Sequence, residues 1–206
     1  MPVANLDTDA LAPPRATRLP AAARLTLVTL LFLASVGAAP MDRPDVDVKK
    51  AGSEFLVIAA HRIPASQDAV WAALTDYDRW PSFIEPMTRS RSIEVNDDAS
   101  RLVEQVTLVR FLFVRRESRA TLLIKEFPKT HIVSALVDGD FITYHVDWRL
   151  EAVGPEACVL KVQMKVRPKM TGPSFVEKRL LATGMKKTLT GLRDEAVRRM
   201  RGWQEK

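Results

Sequence analysis

Residues 141–167 read FITYHVDWRLEAVGPEACVLKVQMKVR, and the alternation inside this stretch decides the fold. Ile142, Tyr144, Val146, Trp148 and Leu150 alternate with Thr143, His145, Asp147, Arg149 and Glu151. Beyond Gly154-Pro155, Leu160, Val162, Met164 and Val166 alternate with Lys161, Gln163, Lys165 and Arg167. A period of two marks a strand with one face on a core and the other in water. Two such strands across a Gly-Pro turn predict a hairpin with one greasy face and one wet face.

Upstream, shorter stretches with strand character cover 88–95, 102–111, 118–125 and 132–137. Asn96-Asp97-Asp98, Pro128-Lys129 and Asp138-Gly139-Asp140 supply turns between most of them. With no helical pattern in between, the six strands predict an antiparallel meander. The phase of 118–125 stays open: Ala120, Leu122 and Ile124 facing inward would carry Arg116 and Ser118 with them, whereas Thr121 and Leu123 argue for the opposite face. Ahead of the meander, 54–63 is rich in Phe, Val and Ile and stops at Pro64, as a strand does. Ser66 then caps a short helix carrying Val70, Trp71 and Leu74, which must end before Trp80-Pro81 because proline disfavours helix in the residue preceding it.

Downstream, 173–201 has helical spacing and would be about 43 Å long at 1.5 Å per residue. Leu181, Met185, Leu189, Leu192, Ala196, Met200 and Trp203 form its apolar stripe, which is expected to cover the greasy sheet face. The fold class is therefore α+β: an antiparallel sheet of about seven strands wrapped on one long C-terminal helix, with one or two short helices after the first strand. A second stripe, Leu180, Gly184, Thr188 and Gly191, runs beside the first. Each interior glycine costs about 1 kcal/mol relative to alanine. The pair implies either a close approach of helix to sheet or a void beneath the helix.

The N-terminus has a different character. Arg15, Arg18 and Arg24 precede an apolar run at 25–36, followed by Gly37, Ala38 and Ala39. Charge, grease and small residues in that order make a secretory signal peptide, 1–38, with cleavage expected after Ala38. An uncleaved anchor is the alternative, although the run is short of the roughly 20 residues a span needs. Residues 39–53 read as a polar linker and 54–203 as the domain. The expected location is periplasmic or secreted. Cys158 is the one cysteine in 206 residues, so neither an internal disulfide nor a cysteine-rich zinc cluster can form. A composition 47% hydrophobic and 27% charged excludes collagen-like and disordered chains.

Without 1–38 the chain keeps 28 basic against 23 acidic residues, and much of the excess lies on the last helix, at Lys178, Arg179, Lys186, Lys187, Arg193, Arg198, Arg199 and Arg201. Such a face suits solvent or anionic lipid headgroups. Nucleic acid is not expected as a partner of an exported chain. Phe111-Leu112-Phe113-Val114, flanked by Arg110, Arg115 and Arg116, reads either as a strand end in the core or as a tip that dips into a bilayer.

The order of elements, with Ala69-Val70-Trp71, Leu74-Thr75-Asp76-Tyr77, the segment Trp80-Pro81-Ser82-Phe83-Ile84-Glu85-Pro86, and Leu136 to Phe141 followed by Trp148, resembles the START-like helix-grip superfamily. Within it the chain is similar to the polyketide cyclase/dehydrase branch, which includes coenzyme Q-binding START proteins and a ribosome-association toxin. The resemblance spans 54–200 and implies a deep apolar cavity between the long helix and the sheet. His61, Trp80, Phe83, Tyr144, Val146, Trp148 and Met164 would line that cavity, with Leu180, Gly184 and Thr188 from the helix. A shared fold does not fix a chemistry.

Enzyme signatures are missing: there is no G-x-S-x-G, G-x-G-x-x-G, P-loop or H-E-x-x-H. His145 falls on a wet face and His131 at a sheet end, while His61, in register with Phe55, Val57, Ala59 and Ile63, is a core histidine or a ligand contact. No metal or cofactor is called for. An apolar cavity with a few orienting polar groups fits binding better than acid–base catalysis. The expected function is an exported, non-catalytic carrier of a lipid or isoprenoid quinone-like molecule, where burying about 300 Å² of tail offers several kcal/mol. The alternatives are an aromatase- or cyclase-like enzyme acting on a polyketone through Tyr144, His61 and Arg116, and a protein-interaction module.

Overall fold

The computed structural model describes residues 43–96, 100–111, 114–170 and 172–205. Residues 1–38, read above as a signal peptide, and Phe113 lie outside them, and of Phe111 only the backbone, closing its strand, is described. Eight strands form one antiparallel sheet: β1 (Asp45–Ala51), β2 (Glu54–Ile63), β3 (Met87–Val95), β4 (Arg101–Phe111), β5 (Val114–Phe127), β6 (His131–Gly139), β7 (Phe141–Gly154) and β8 (Ala157–Pro168). Their order across the sheet is β1-β2-β8-β7-β6-β5-β4-β3, so the first and third strands are the edges. Between β2 and β3 come helix α1 (Gln67–Leu74), a 3-10 turn (Tyr77–Arg79) and the short helix α2 (Trp80–Phe83). Helix α3 (Ser174–Gln204) ends the chain.

The central strands follow the alternation in their sequence. On β2, Phe55, Val57, Ala59, His61 and Ile63 are buried, and on β8 Cys158, Leu160, Val162, Met164 and Val166 are buried opposite them. Val146, Trp148 and Leu150 continue the core on β7. On β5 the open phase resolves inward at Ala120, Leu122 and Ile124, leaving Leu123 40% exposed, Ser118 half-buried and Arg116 exposed. The outer face carries ion pairs such as Lys161–Glu151 at 2.7 Å and Lys165–Glu54 at 2.9 Å. Pairs this exposed contribute at most about 1 kcal/mol each.

Three expectations need correction. The stretch read as linker contains a strand: β1 pairs with β2 from Asp45 opposite Ala60 to Ala51 opposite Glu54. Its charged residues disguise it, yet an edge strand tolerates them. Ile142 does not face inward with Tyr144. A bulge between Phe141 and Thr143 breaks the register with β8, leaving Ile142 52% exposed and seating Phe141 edge-on against Tyr144, ring centroids 4.9 Å apart. Trp203 leaves the α3 stripe and is 50% exposed.

Local chemistry fixes the connections. The Ser66 side chain accepts from the Ala69 N–H at 3.3 Å and caps α1. Pro81 is tolerated in the first turn of α2, where its missing N–H has no intrahelical partner to lose. The β6–β7 turn places Gly139 at φ 137°, and a Cβ there would stand 2.3 Å from the Arg119 carbonyl oxygen.

Helix α3 is held along its middle. Its buried residues are Met185, Leu189, Leu192, Glu195 and Ala196. The Glu195 carboxylate accepts from Arg198 Nε at 2.8 Å and Arg199 Nε at 2.7 Å. Arg199 also donates to the Ala72 carbonyl at 2.8 Å and to Asp76, tying α3 to α1 and the turn after it. Burial alone would raise the Glu195 pKa, but the two guanidinium groups outweigh it and hold the carboxyl below its ordinary range. Among the described residues no helix is long and apolar enough to cross a membrane.

Candidate functional site

A hollow of about 20 Å³ lies beside α1 and the turn after it. Leu74, Tyr77 and Trp80 form one wall, and Gln105, Leu122, Ile124, Ile132, Ser134, Tyr144, Val146 and Trp148 of β4–β7 form the other. Sheet register explains the second wall. Ser134 is flanked by Ile124 on β5 and Val146 on β7, and Gln105 stands opposite Ala120. The volume holds about one water molecule.

Both indoles are fixed. Trp80 meets Trp148 edge-on at 6.3 Å and Tyr77 at 5.5 Å, and its Nε1–H donates to the Ala73 carbonyl at 3.2 Å. The Tyr77 hydroxyl donates to Glu126 Oε1 at 3.0 Å, and Arg101 braces that carboxylate at 3.3 Å. Burial, reinforced by Glu126, pushes the Tyr77 phenol far above its ordinary pKa.

Three other polar residues share the wall. Gln105 is 6% exposed and Ser134 4% exposed, and Tyr144 joins them from β7. All three belong to the lining of the hollow. Burial pushes the Tyr144 phenol up to about 12, so it is a neutral donor at physiological pH.

The hollow is neither where the helical stripe points nor as large as the resemblance implies. No residue of α3 lines it: Leu180, Gly184 and Thr188 are half-buried, and the Thr188 hydroxyl donates to the Gly184 carbonyl at 3.0 Å. The two glycines also part company. A Cβ on Gly191 would stand 2.1 Å from the Phe83 carbonyl oxygen, which is close packing, whereas a Cβ on Gly184 meets nothing within 4 Å. Beneath the helix, Met164, Met185 and Leu189 belong to one buried cluster with Trp80 and Trp148, so side chains take up that space.

Of the residues expected around a ligand, Trp80, Tyr144, Val146 and Trp148 line the hollow. His61 and Met164 are buried but do not, with His61 opposite Leu160 on β8. Phe83 is half-buried against the core. Gln105 and Ser134 escape the sequence reading. Ser134 was within reach, since it alternates with Ala135 on the same face as Ile132, whereas Gln105 lies on a strand without strict alternation. Half-buried Phe83, Met87, Leu136, Phe141, Tyr144 and Leu181 pack around the core.

A second, open groove lies along the end of α3 at Pro64, Arg193, Val197, Arg198 and Arg201. Arg193 and Arg198 there are paired with Asp194 and Glu195 at 2.9 and 2.8 Å.

Comparison with known proteins fits this architecture. The chain belongs to the family described as polyketide cyclase / dehydrase and lipid transport, whose model matches residues 63–192. Among solved structures it is similar to a START superfamily protein from Mycobacterium smegmatis, at 15% identity and a TM-score of 0.61, over 69% of this chain and 97% of that one. It is also similar to the Zhui aromatase/cyclase from Streptomyces sp. R1128, at 15% identity and 0.62, over 71% and 95%. Human STARD10 matches at 10% identity and 0.58, over 94% and 86%. Identities this low establish the helix-grip fold and no activity. No curated protein matches by sequence.

Proposed function

We propose that this protein is an exported, non-catalytic binder of an apolar small molecule, a lipid or isoprenoid quinone-like compound. The observation that carries the reading is the hollow: a mostly apolar wall, interrupted by the neutral hydrogen-bonding groups of Gln105, Ser134 and Tyr144. Its only titratable members are Tyr77 and Tyr144, and both phenols stay protonated at physiological pH. General acid–base work calls for a group that titrates near the operating pH, so the wall is better suited to holding than to converting.

A hollow of about 20 Å³ does not accept a tail-bearing ligand as it stands. Binding is then an opening event. Pairing between β6 and β7 stops at Ala135 and His145, and the half-buried residues Leu136, Phe141 and Tyr144 lie beyond that point. Parting these side chains, with the first turns of α3, extends the hollow toward the β6–β7 turn. The basic residues of α3 belong to the same proposal as contacts for anionic headgroups during loading, and Phe111 and Phe113 as apolar contacts with the membrane.

Organic extracts of the protein purified from its own compartment test the reading. Mass spectrometry should find an apolar compound at a ratio near one per chain. Extracts without such a compound, together with purified protein that takes up no apolar probe, would refute it. Export is tested separately by fusing residues 1–40 to a reporter, where retention in the cytoplasm contradicts it.

A further inference from the structure

We infer that one end of the molecule, formed by the β6–β7 turn, Met170 and the first turn of α3, docks on an anionic lipid bilayer. It rests on the binding reading above for what the docked face would load. Phe175 is 73% exposed and Met170 67% exposed, the two most exposed large apolar side chains among the described residues. Ile142 and Val137, each more than half exposed, flank the β6–β7 turn. Single exposed apolar residues are ordinary, but several gathered at one end mark a contact surface.

Hydrogen bonds and register place these residues at the same end. Asp140 in the β6–β7 turn donates its N–H to the Arg119 carbonyl at 2.9 Å, and its own carbonyl accepts from the Lys169 N–H at 2.9 Å. One residue on, the Met170 sulfur accepts from Arg116 Nη1 at 2.7 Å. Ser174 Oγ, next to Phe175, accepts from Lys50 Nζ at 2.6 Å. Lys50 stands opposite Phe55, Phe55 opposite Val166, and Val166 opposite Tyr144, so the α3 start sits at the same strand ends as the turn.

Charge selects the partner. Arg115, Arg116, Lys169 and Arg179 are exposed at this end. Its acidic side chains are largely engaged: Asp140 Oδ2 accepts the Arg119 N–H at 2.9 Å, Glu177 accepts the Gly172 N–H at 3.0 Å, and Glu117 pairs with Arg119 at 3.6 Å, which leaves Asp138 as an exposed carboxylate. Apolar tips surrounded by cations suit the boundary between headgroups and acyl chains. Behind the tips lie Leu136, Phe141 and Tyr144, the side chains that part when the hollow opens. The far end of α3 is also basic, but Arg193 and Arg198 there are paired with Asp194 and Glu195. Trp203 at that end is 28 residues from Phe175, about 42 Å along the helix.

The test uses the protein purified from its own compartment and two kinds of vesicle, phosphatidylcholine alone and an equal mixture with phosphatidylglycerol. Co-sedimentation with the anionic vesicles and little with the neutral ones is expected, weakening at high salt. Phe175→Ser should lower vesicle affinity roughly tenfold, and Lys169→Glu and Arg179→Glu about fivefold each. Trp203→Ser and Arg201→Glu, at the far end, should change nothing. Phe175→Trp adds an indole at the docked face, and lipids brominated on their acyl chains should quench it beyond the quenching of the parent protein. No binding to anionic vesicles, equal binding to both kinds, or losses as large in the Trp203 and Arg201 variants as in the Phe175 variant would overturn the docking inference. The binding reading stands in each of those cases if an apolar compound is extracted from the protein. Docking with the expected pattern by a protein that yields no such compound and takes up no apolar probe takes down the binding reading and leaves the docking face.

Discussion

From Met185 to Ala196 helix α3 buries five side chains, whereas between Ser174 and Gly184 it buries none. The first region carries Gly191 against the Phe83 carbonyl and the Arg199 link to Ala72 and Asp76. The second carries Gly184, beside which there is room for a methyl group. Two glycines on one helical stripe thus have opposite surroundings. The grip of the helix is concentrated in its middle, from Met185 to Arg199, and composition alone does not reveal which stretch that is.

The most damaging way to break this contrast is Arg199→Ala, which leaves the 5%-exposed Glu195 carboxylate with Arg198 alone, frees the Ala72 carbonyl and cuts the tie to Asp76. A loss of about 2 kcal/mol in urea unfolding is expected, since the half-buried Ala72 carbonyl and Asp76 carboxylate lose their donor while Glu195 keeps one of its two. A loss below about 1 kcal/mol would show that the clamp is not what holds the helix. Acid should act on the same clamp. The Glu195 pKa is lowered in the folded state, so its contribution is complete above the ordinary carboxylate range near 4.5 and disappears as pH falls through the lowered value. A Glu195→Gln variant should have a shallower acid limb in its stability profile. Parallel profiles would assign acid unfolding to other carboxylates.

The glycines sharpen the contrast further. Gly191→Ala pushes a methyl group into the Phe83 backbone and should cost about 2 kcal/mol by chemical denaturation. Gly184→Ala meets no neighbour and should gain up to about 1 kcal/mol from helix propensity. Shifts of equal sign in the two variants would erase the distinction drawn between the two stretches. Smallest of all is the effect of Gln105→Leu on stability. Replacing this 6%-exposed amide by an apolar side chain of similar size on a mostly apolar wall should leave stability unchanged or raise it by up to about 1 kcal/mol. A loss of more than about 2 kcal/mol would make Gln105 a structural residue.

The fold was readable because β7 and β8 each keep one wet face, so that period two survives in the sequence from Val146 to Leu150 and from Leu160 to Val166. It failed at Ile142 because a bulge inserts a residue without any local signature, and at 45–51 because an edge strand needs only Val46 and Val48 half-buried. The site was readable in part. Aromatic Trp80, Tyr144 and Trp148 stand out in any sequence of this composition, while Ser134 and Gln105 look like ordinary strand polars until register sets them around one space. The size of that space depends on how Trp80 meets Trp148 and how the methionines of β8 and α3 pack, which is a tertiary matter.

Strand β1 also protects what it covers. Its partner β2 would otherwise present a free row of N–H and C=O groups beside the 45%-exposed Ile58. Asp47 and Lys49, paired at 3.2 Å, leave a charged margin in its place. Proteolysis that removed residues 45–51 would convert this guarded border into a sticky one, and the shortened chains would be expected to stack edge to edge into oligomers long before the core itself came apart.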